Sequence, residues 1–192
     1  MSLSKPSSIL YKSLEVYYNS LFNNPIRTKA ICSLMIAVFG NLTSQYITGA
    51  KTLNQDSLIS FGLFGFLFGG PLPHFFYEIL ERIIPFEANC PAVKQLFLER
   101  FLFTPLFQFF SLYMLARFEG KSHDQSMSQL LRLYLPVLKA NWKWLTIFQF
   151  INFAFVPPIM RDLVNNIISF FWIIFLTRKK QLTDATKRNR LD

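Results

Sequence analysis

NWKWLTIFQFINFAFVPPIMRDLVNNIISFFWIIFLTRKK, residues 141–180, is too apolar to form the surface of a soluble domain. The apolar run breaks once, at Val156-Pro157-Pro158 followed by Arg161-Asp162, and ends on the basic cluster Arg178-Lys179-Lys180. An unbroken membrane helix from Trp144 to Thr177 would carry Arg161 and Asp162 near the bilayer centre, at roughly 2.5–3.5 kcal/mol each. The simpler reading is an apolar helix over 142–155, a proline turn, and a span over 157–177. From Pro157 to Thr177 a helix reaches roughly 32 Å, enough to cross a hydrocarbon core. Arg161 then falls in the first turns, where its long stem can reach the headgroups.

Working outward, charge is scarce and unevenly placed. Charged residues make up 16% of the 192-residue chain, against about 25% in soluble proteins. Long runs carry none: 30–50, 57–77, 101–116, 144–160 and 163–177. The chain therefore reads as all-α, a polytopic membrane helical bundle forming one integral membrane domain over 1–192. Spans are expected at 28–48, 57–77, 97–117 and 157–177. The net charge of +9 is read as basic flanks meeting anionic lipid, not as a nucleic-acid surface. Cys32 in a span and Cys90 in a loop are expected to be free thiols. Neither a secretory signal nor an Arg-rich presequence is read at the N-terminus.

Over 8–22 the pattern is amphipathic. Leu10, Leu14, Tyr17, Tyr18 and Leu21 share a face opposite Lys12, Glu15 and Asn19. Asn24-Pro25 opens the first span, with proline where its missing N–H costs nothing. Asn41 and Gln45 lie four apart in that span, beside Gly40 and Ser44. Amides at that depth face a wet cavity or other helices rather than lipid. The second span carries eleven Leu, Ile and Phe residues, worth roughly −5 kcal/mol of insertion free energy. Gly62, Gly65 and Gly69 give it a smooth face for close helix packing. Gly70-Pro71-Leu72-Pro73-His74 should bend or unwind it, and His74 and Glu78 stand at pairing distance along a helix. No metal-ligand spacing surrounds His74 or His123.

Residues 85–91 read as a loop and Pro91 as the start of the third helix, with Glu99-Arg100 before its charge-free part and Gly120 as its stop. Residues 122–139 are amphipathic again and read as an interfacial helix leading to Trp142 and Trp144. Gln108, Gln149, Asn152, Asn165 and Arg161 complete the set of polar groups inside apolar segments. Four spans would put both termini on one side. Thirteen Lys and Arg there, against six in the other two loops, favour the cytosol.

These stretches together resemble the 22-kDa peroxisomal membrane protein family, whose relatives include mitochondrial inner-membrane proteins of the Mpv and Sym type. The last block carries most of the likeness: Asn141-Trp142, Gln149, Asn152-Phe153, Val156-Pro157, Arg161, Asn165 and Trp172. Upstream, Gly40-Asn41 with Gln45, Gly70-Pro71 with His74-Phe75-Phe76-Tyr77, Glu99-Arg100 with Pro105, and Glu119-Gly120-Lys121 match in order. The likeness spans about residues 17–178. Many relatives carry Gly-Asp at Gly40-Asn41 and Asp-Gln at Glu99-Arg100.

The resemblance implies a multi-pass protein of an organelle membrane, peroxisomal in its nearer branch and mitochondrial inner-membrane as the alternative. It implies a passive, non-selective pore for small hydrophilic metabolites, with no catalysis, cofactor or metal. Uncharged amides and hydroxyls suit such a pore, which would discriminate by size. On this reading Asn41, Gln45, Gln108, Gln149, Asn152 and Asn165 are candidate lining residues. Arg161 is a candidate for setting the entrance potential or for an ion pair with Asp162 or Glu78. A homo-oligomer is the second expected partner after the bilayer and its solutes, with Gly65–Gly69 as a candidate contact. The competing reading is a scaffold without transport, in which every amide is a packing hydrogen bond. The chain carries no HExxH, no GxSxG and no pair of spanning aspartates, so an intramembrane enzyme has no motif behind it.

Overall fold

The computed structural model describes residues 5–49, 52–85, 87–156 and 158–188. They form helices α1 (Lys5–Asn23), α2 (Pro25–Ile47), α3 (Gln55–Phe64), α4 (Pro71–Ile83), α5 (Pro91–Leu98), α6 (Thr104–Phe118), α7 (His123–Phe155) and α8 (Pro158–Arg188). A π turn, Gly65–Gly69, joins α3 to α4, and another, Glu99–Phe103, joins α5 to α6. Among the described residues three rods are long and apolar enough to cross a membrane: Pro25–Ile47, Gln55–Ile83 and Pro91–Phe118. They cover the second and third expected spans whole and the first to one residue short of its end. The fourth falls within α8, and Pro157 lies outside the described residues.

Both π turns sit just before a proline. Pro71 and Pro105 have no N–H, and each ring crowds the carbonyl one turn back. The chain answers with i→i+5 bonds: Gly70 N–H to the Gly65 carbonyl, and Thr104 N–H to the Glu99 carbonyl. The rods therefore bulge without breaking. Gly120, at φ 77°, ends α6. Ser122 starts α7 with a reciprocal cap to Gln125.

The surface is inverted relative to a soluble protein. Ile31, Phe39, Ile59, Phe66, Leu106 and Phe171 are exposed, while Asn41, Ser44, Ser60 and Asn152 are fully buried. Water would reject the first set. Lipid accepts it, and the amides hydrogen-bond between helices.

Neighbouring rods alternate in direction. Phe64 meets Phe107 and Phe76 stacks on Phe103 at 4.2 Å, so α3–α4 and α5–α6 are antiparallel. α7 runs back along α5–α6, from Tyr113–His123 at one end to Arg100–Asn141 at the other. α8 then runs parallel to α2: Gly40 faces Ile173, Asn41 bonds Thr177, and Thr48 bonds Gln181. Two expectations change. Residues 122–155 form one continuous helix, not an interfacial helix followed by an apolar one. Nothing at Lys139-Ala140-Asn141 breaks the backbone, and packing on α5–α6 carries it through. The start of α2 and the end of α8 consequently lie at opposite ends of the bundle, not on one side.

The glycine face is used within the chain. A Cβ on Gly65 would stand 2.7 Å from the Ser33 carbonyl oxygen, and one on Gly70 would stand 2.5 Å from that of Lys29. Gly62 and Gly69 face Val38 and Ser33 on the same helix. Because α2 covers this face, it is not open as a contact between copies. At α1 the expected face is seen: Leu14, Tyr17, Tyr18 and Leu21 are half-buried, while Lys12, Glu15 and Asn19 are exposed. Cys32 and Cys90 are free thiols.

Candidate functional site

A partly enclosed cavity of about 250 Å³ lies inside the bundle. Both π turns face it, through Gly65 and Gly69 on one side and Glu99, Arg100 and Phe103 on the other. The bulges are what bring these groups inward, since an i→i+5 turn rotates the following side chains off the regular helix stripe. One end is polar: Lys29 from α2, His74 and Tyr77 from α4, Asn141 and Gln149 from α7, Asn165 and Asn166 from α8. The other end is apolar, closed by Ala37, Phe61, Phe64, Leu115 and Leu176.

The polar end is built around a buried ion pair. Arg100 Nε lies 2.6 Å from Glu99 Oε2, with both side chains under a tenth exposed. Thr104 Oγ1 donates to Glu99 Oε1 at 3.1 Å, and Arg100 Nη1 donates to Asn141 Oδ1 at 2.5 Å. Trp142 Nε1 donates to the Arg100 carbonyl at 3.0 Å, fixing α7 against this turn. A buried pair holds its charges only when its remaining valences are met, and Thr104 and Asn141 meet several of them. Across the cavity, Lys29 Nζ approaches His74 Nδ1 at 3.1 Å. Glu78, the partner expected for His74, bonds Arg82 at 2.6 Å.

The expected lining residues divide. Gln108, Gln149 and Asn165 line the cavity. Gln149 Nε2 donates to the Tyr77 hydroxyl at 2.9 Å, and Asn165 Oδ1 accepts from Asn152 Nδ2 at 2.9 Å. Asn152 itself stands behind Asn165, fully buried, and its Oδ1 has no hydrogen-bond partner. Asn41 and Gln45 do not reach the cavity. Asn41 Nδ2 donates to Ser57 and Thr177, and Gln45 Nε2 donates to Asn41 Oδ1 at 2.7 Å. Gln45 also holds the Asn54 backbone, accepting from its N–H at 2.7 Å. Their polarity is spent on joining α2, α3 and α8.

Arg161 stands apart from the cavity, and Glu78 is not its acidic neighbour. It is buried in the first turn of α8 and does not line the cavity. Its guanidinium donates to the Phe153 and Val156 carbonyls at 3.2 Å each and lies over the Phe153 ring. Those carbonyls are the unpaired acceptors at the end of α7, and a cation there is favoured by the helix dipole. Its acidic neighbour is Glu81, 3.6 Å away, rather than Glu78. The Asp162 side chain lies outside the described residues. Arg161 thus fastens the α7–α8 turn, and of the motif residues around it Trp172 reaches the cavity wall.

Sequence reading passed over Lys29, Glu99 and Arg100 as wall residues. The available signal was a charged pair, Glu99-Arg100, set against a charge-free run and one π turn before a proline.

At the apolar end a second ion pair closes the bundle. Lys180 Nζ lies 2.5 Å from Glu119 Oε1 and over the Phe61 ring at 5.2 Å. Lys121 Nζ stands 3.2 Å from Glu119 Oε2 and donates to Gln129. Burial raises the Glu119 carboxyl, but the charge and hydrogen bond of Lys180, with Lys121 beside it, outweigh this and hold it below the usual carboxylate range.

Comparison with known proteins adds an independent line. Residues 116–177 match the family described as Mpv17 / PMP22. The chain is 31% identical to "Peroxisomal membrane protein 2" of Bos taurus over 172 residues, 86% of this chain and 88% of that one. It is 32% identical to "PXMP2/4 family protein 3" of Dictyostelium discoideum over 181 residues, 92% and 96% of the two chains. "Mitochondrial inner membrane protein Mpv17" of Caenorhabditis briggsae is 26% identical over 168 residues, 88% and 93% of the two. No solved structure matches.

Proposed function

The chain belongs to the Mpv17 / PMP22 family, and on that premise we propose that it is a passive pore for small hydrophilic metabolites in an organelle membrane. The name of its bovine relative favours the peroxisome, and that of its Caenorhabditis briggsae relative makes the mitochondrial inner membrane the alternative. The proposal assigns no catalysis and no cofactor.

The observation that carries the reading is the internal cavity. Its polar end offers amides, hydroxyls and a charge-balanced Glu99–Arg100 pair. Such a wall, with Lys29 and His74 beside it, can hydrogen-bond hydrophilic solutes, and passage would be graded by size. A scaffold without transport is the second reading. It draws on the apolar closure at Phe61, Phe64, Leu115 and Leu176 and on the saturated Asn41–Gln45 network.

Purified protein reconstituted in liposomes, loaded with sugars and organic acids of increasing size, separates the two. A pore releases the small solutes and retains the large ones with a sharp cutoff. Retention of every solute by folded, inserted protein would favour the scaffold.

A further inference from the structure

We propose that Lys180 and Glu119 form an ionic latch that keeps the cavity shut at its apolar end. The inference rests on the pore reading and concerns how that pore is regulated. Four observations converge. The cavity ends at Phe61, Phe64, Leu115 and Leu176, and Leu176 belongs to α8, one turn before Lys180. Lys180 is itself buried, with its ammonium over Phe61, so the latch touches the closing residues directly. Glu119 lies just past the end of α6, so the contact ties α8 to the α6–α7 connection. Lys121 and Gln129 complete a network around the carboxylate.

Near this end α8 is held to α2 by Gly40 against Ile173 and by hydrogen bonds from Asn41 to Thr177, Ser44 to the Ile174 carbonyl and Thr48 to Gln181, and to the α6–α7 connection by the Lys180–Glu119 pair. Withdrawing the last turns of α8 would remove Leu176 from the apolar closure and join the cavity to the far side. Breaking a buried ion pair is costly, which favours discrete docked and undocked positions over intermediate ones.

The test uses full-length protein in liposomes of phosphatidylcholine and phosphatidylethanolamine. Cys32 and Cys90 are replaced by serine, and spin labels are placed at Asp124→Cys and Arg178→Cys. Lys180→Met and, separately, Glu119→Gln should lengthen or broaden the inter-label distance. They should also raise release of a small sugar by roughly a hundredfold or more, the scale of a broken buried pair acting on a two-state element. Lys180→Arg should keep both readouts near those of the parent. Unchanged label distances in both neutralised variants would overturn the latch, whatever the release rates. Altered distances with no release from any variant would keep the latch and remove the pore reading instead.

Discussion

Glu119 is the residue whose ionisation matters most to the closed bundle. Its carboxyl titrates low because Lys180 and Lys121 outweigh its burial. A group depressed on folding contributes stability above its unfolded pKa and loses it as pH falls through the folded one. Stability should therefore decline as pH drops below about 4.3, the ordinary glutamate value. Glu119→Gln should flatten that part of the profile and cost about 3–5 kcal/mol at neutral pH. Thermal unfolding in detergent from pH 7 to pH 3 checks it, and an unaltered acid limb in the variant would show that other carboxylates dominate. Asn41 and Gln45 invite the opposite expectation to the one their spacing suggests. Since their amides join α2 to Ser57, Thr177 and Asn54, Asn41→Leu with Gln45→Leu should cost about 1–3 kcal/mol in stability. Solute flux per inserted molecule should stay the same. A specific loss of flux at full stability would return these residues to the lining.

At the scale of elements, α7 separates what was legible from what was not. The apolar runs, the helix start at Asn24-Pro25 and the stop at Gly120 were readable, because each is local chemistry. The extent of α7 was not. Arg132 and Lys139 on one face of 122–139 give the same periodicity whether the helix lies in an interface or stands along a bundle. Contacts distant in sequence, such as Asn141 with Arg100 across 41 residues and Trp142 with the Arg100 carbonyl, decide it. The π turns were half legible: Gly70-Pro71 announced a disturbance of the second span, but Pro105 was not read that way, nor was it readable that both bulges would face one cavity. The consequence of a full-length α7 is topological. Tags placed before Pro25 and after Lys180 should lie on opposite sides of the membrane. Protease treatment of sealed vesicles of uniform orientation should remove one tag only. Removal of both, or of neither, would return α7 to the membrane surface.

At the scale of the whole molecule, polarity is arranged in three places that do different work. The Asn41–Gln45 network fastens α2 to its neighbours. The Glu119–Lys180 pair shuts one end. The Glu99–Arg100 group, with Gln108, Gln149 and Asn165, furnishes the cavity. Amide spacing alone did not sort these roles, because an amide that bonds across helices and one that meets water look alike in sequence. The central claim is that the cavity is the path of a passive pore. Single-channel recording in planar bilayers tests it most directly, comparing the parent with Ser169→Trp, which places a large ring at an exposed position of the cavity wall. The account predicts stepwise openings, with a smaller unit step in the variant. Silent bilayers from folded, inserted protein, with Lys180→Met equally silent, would contradict it.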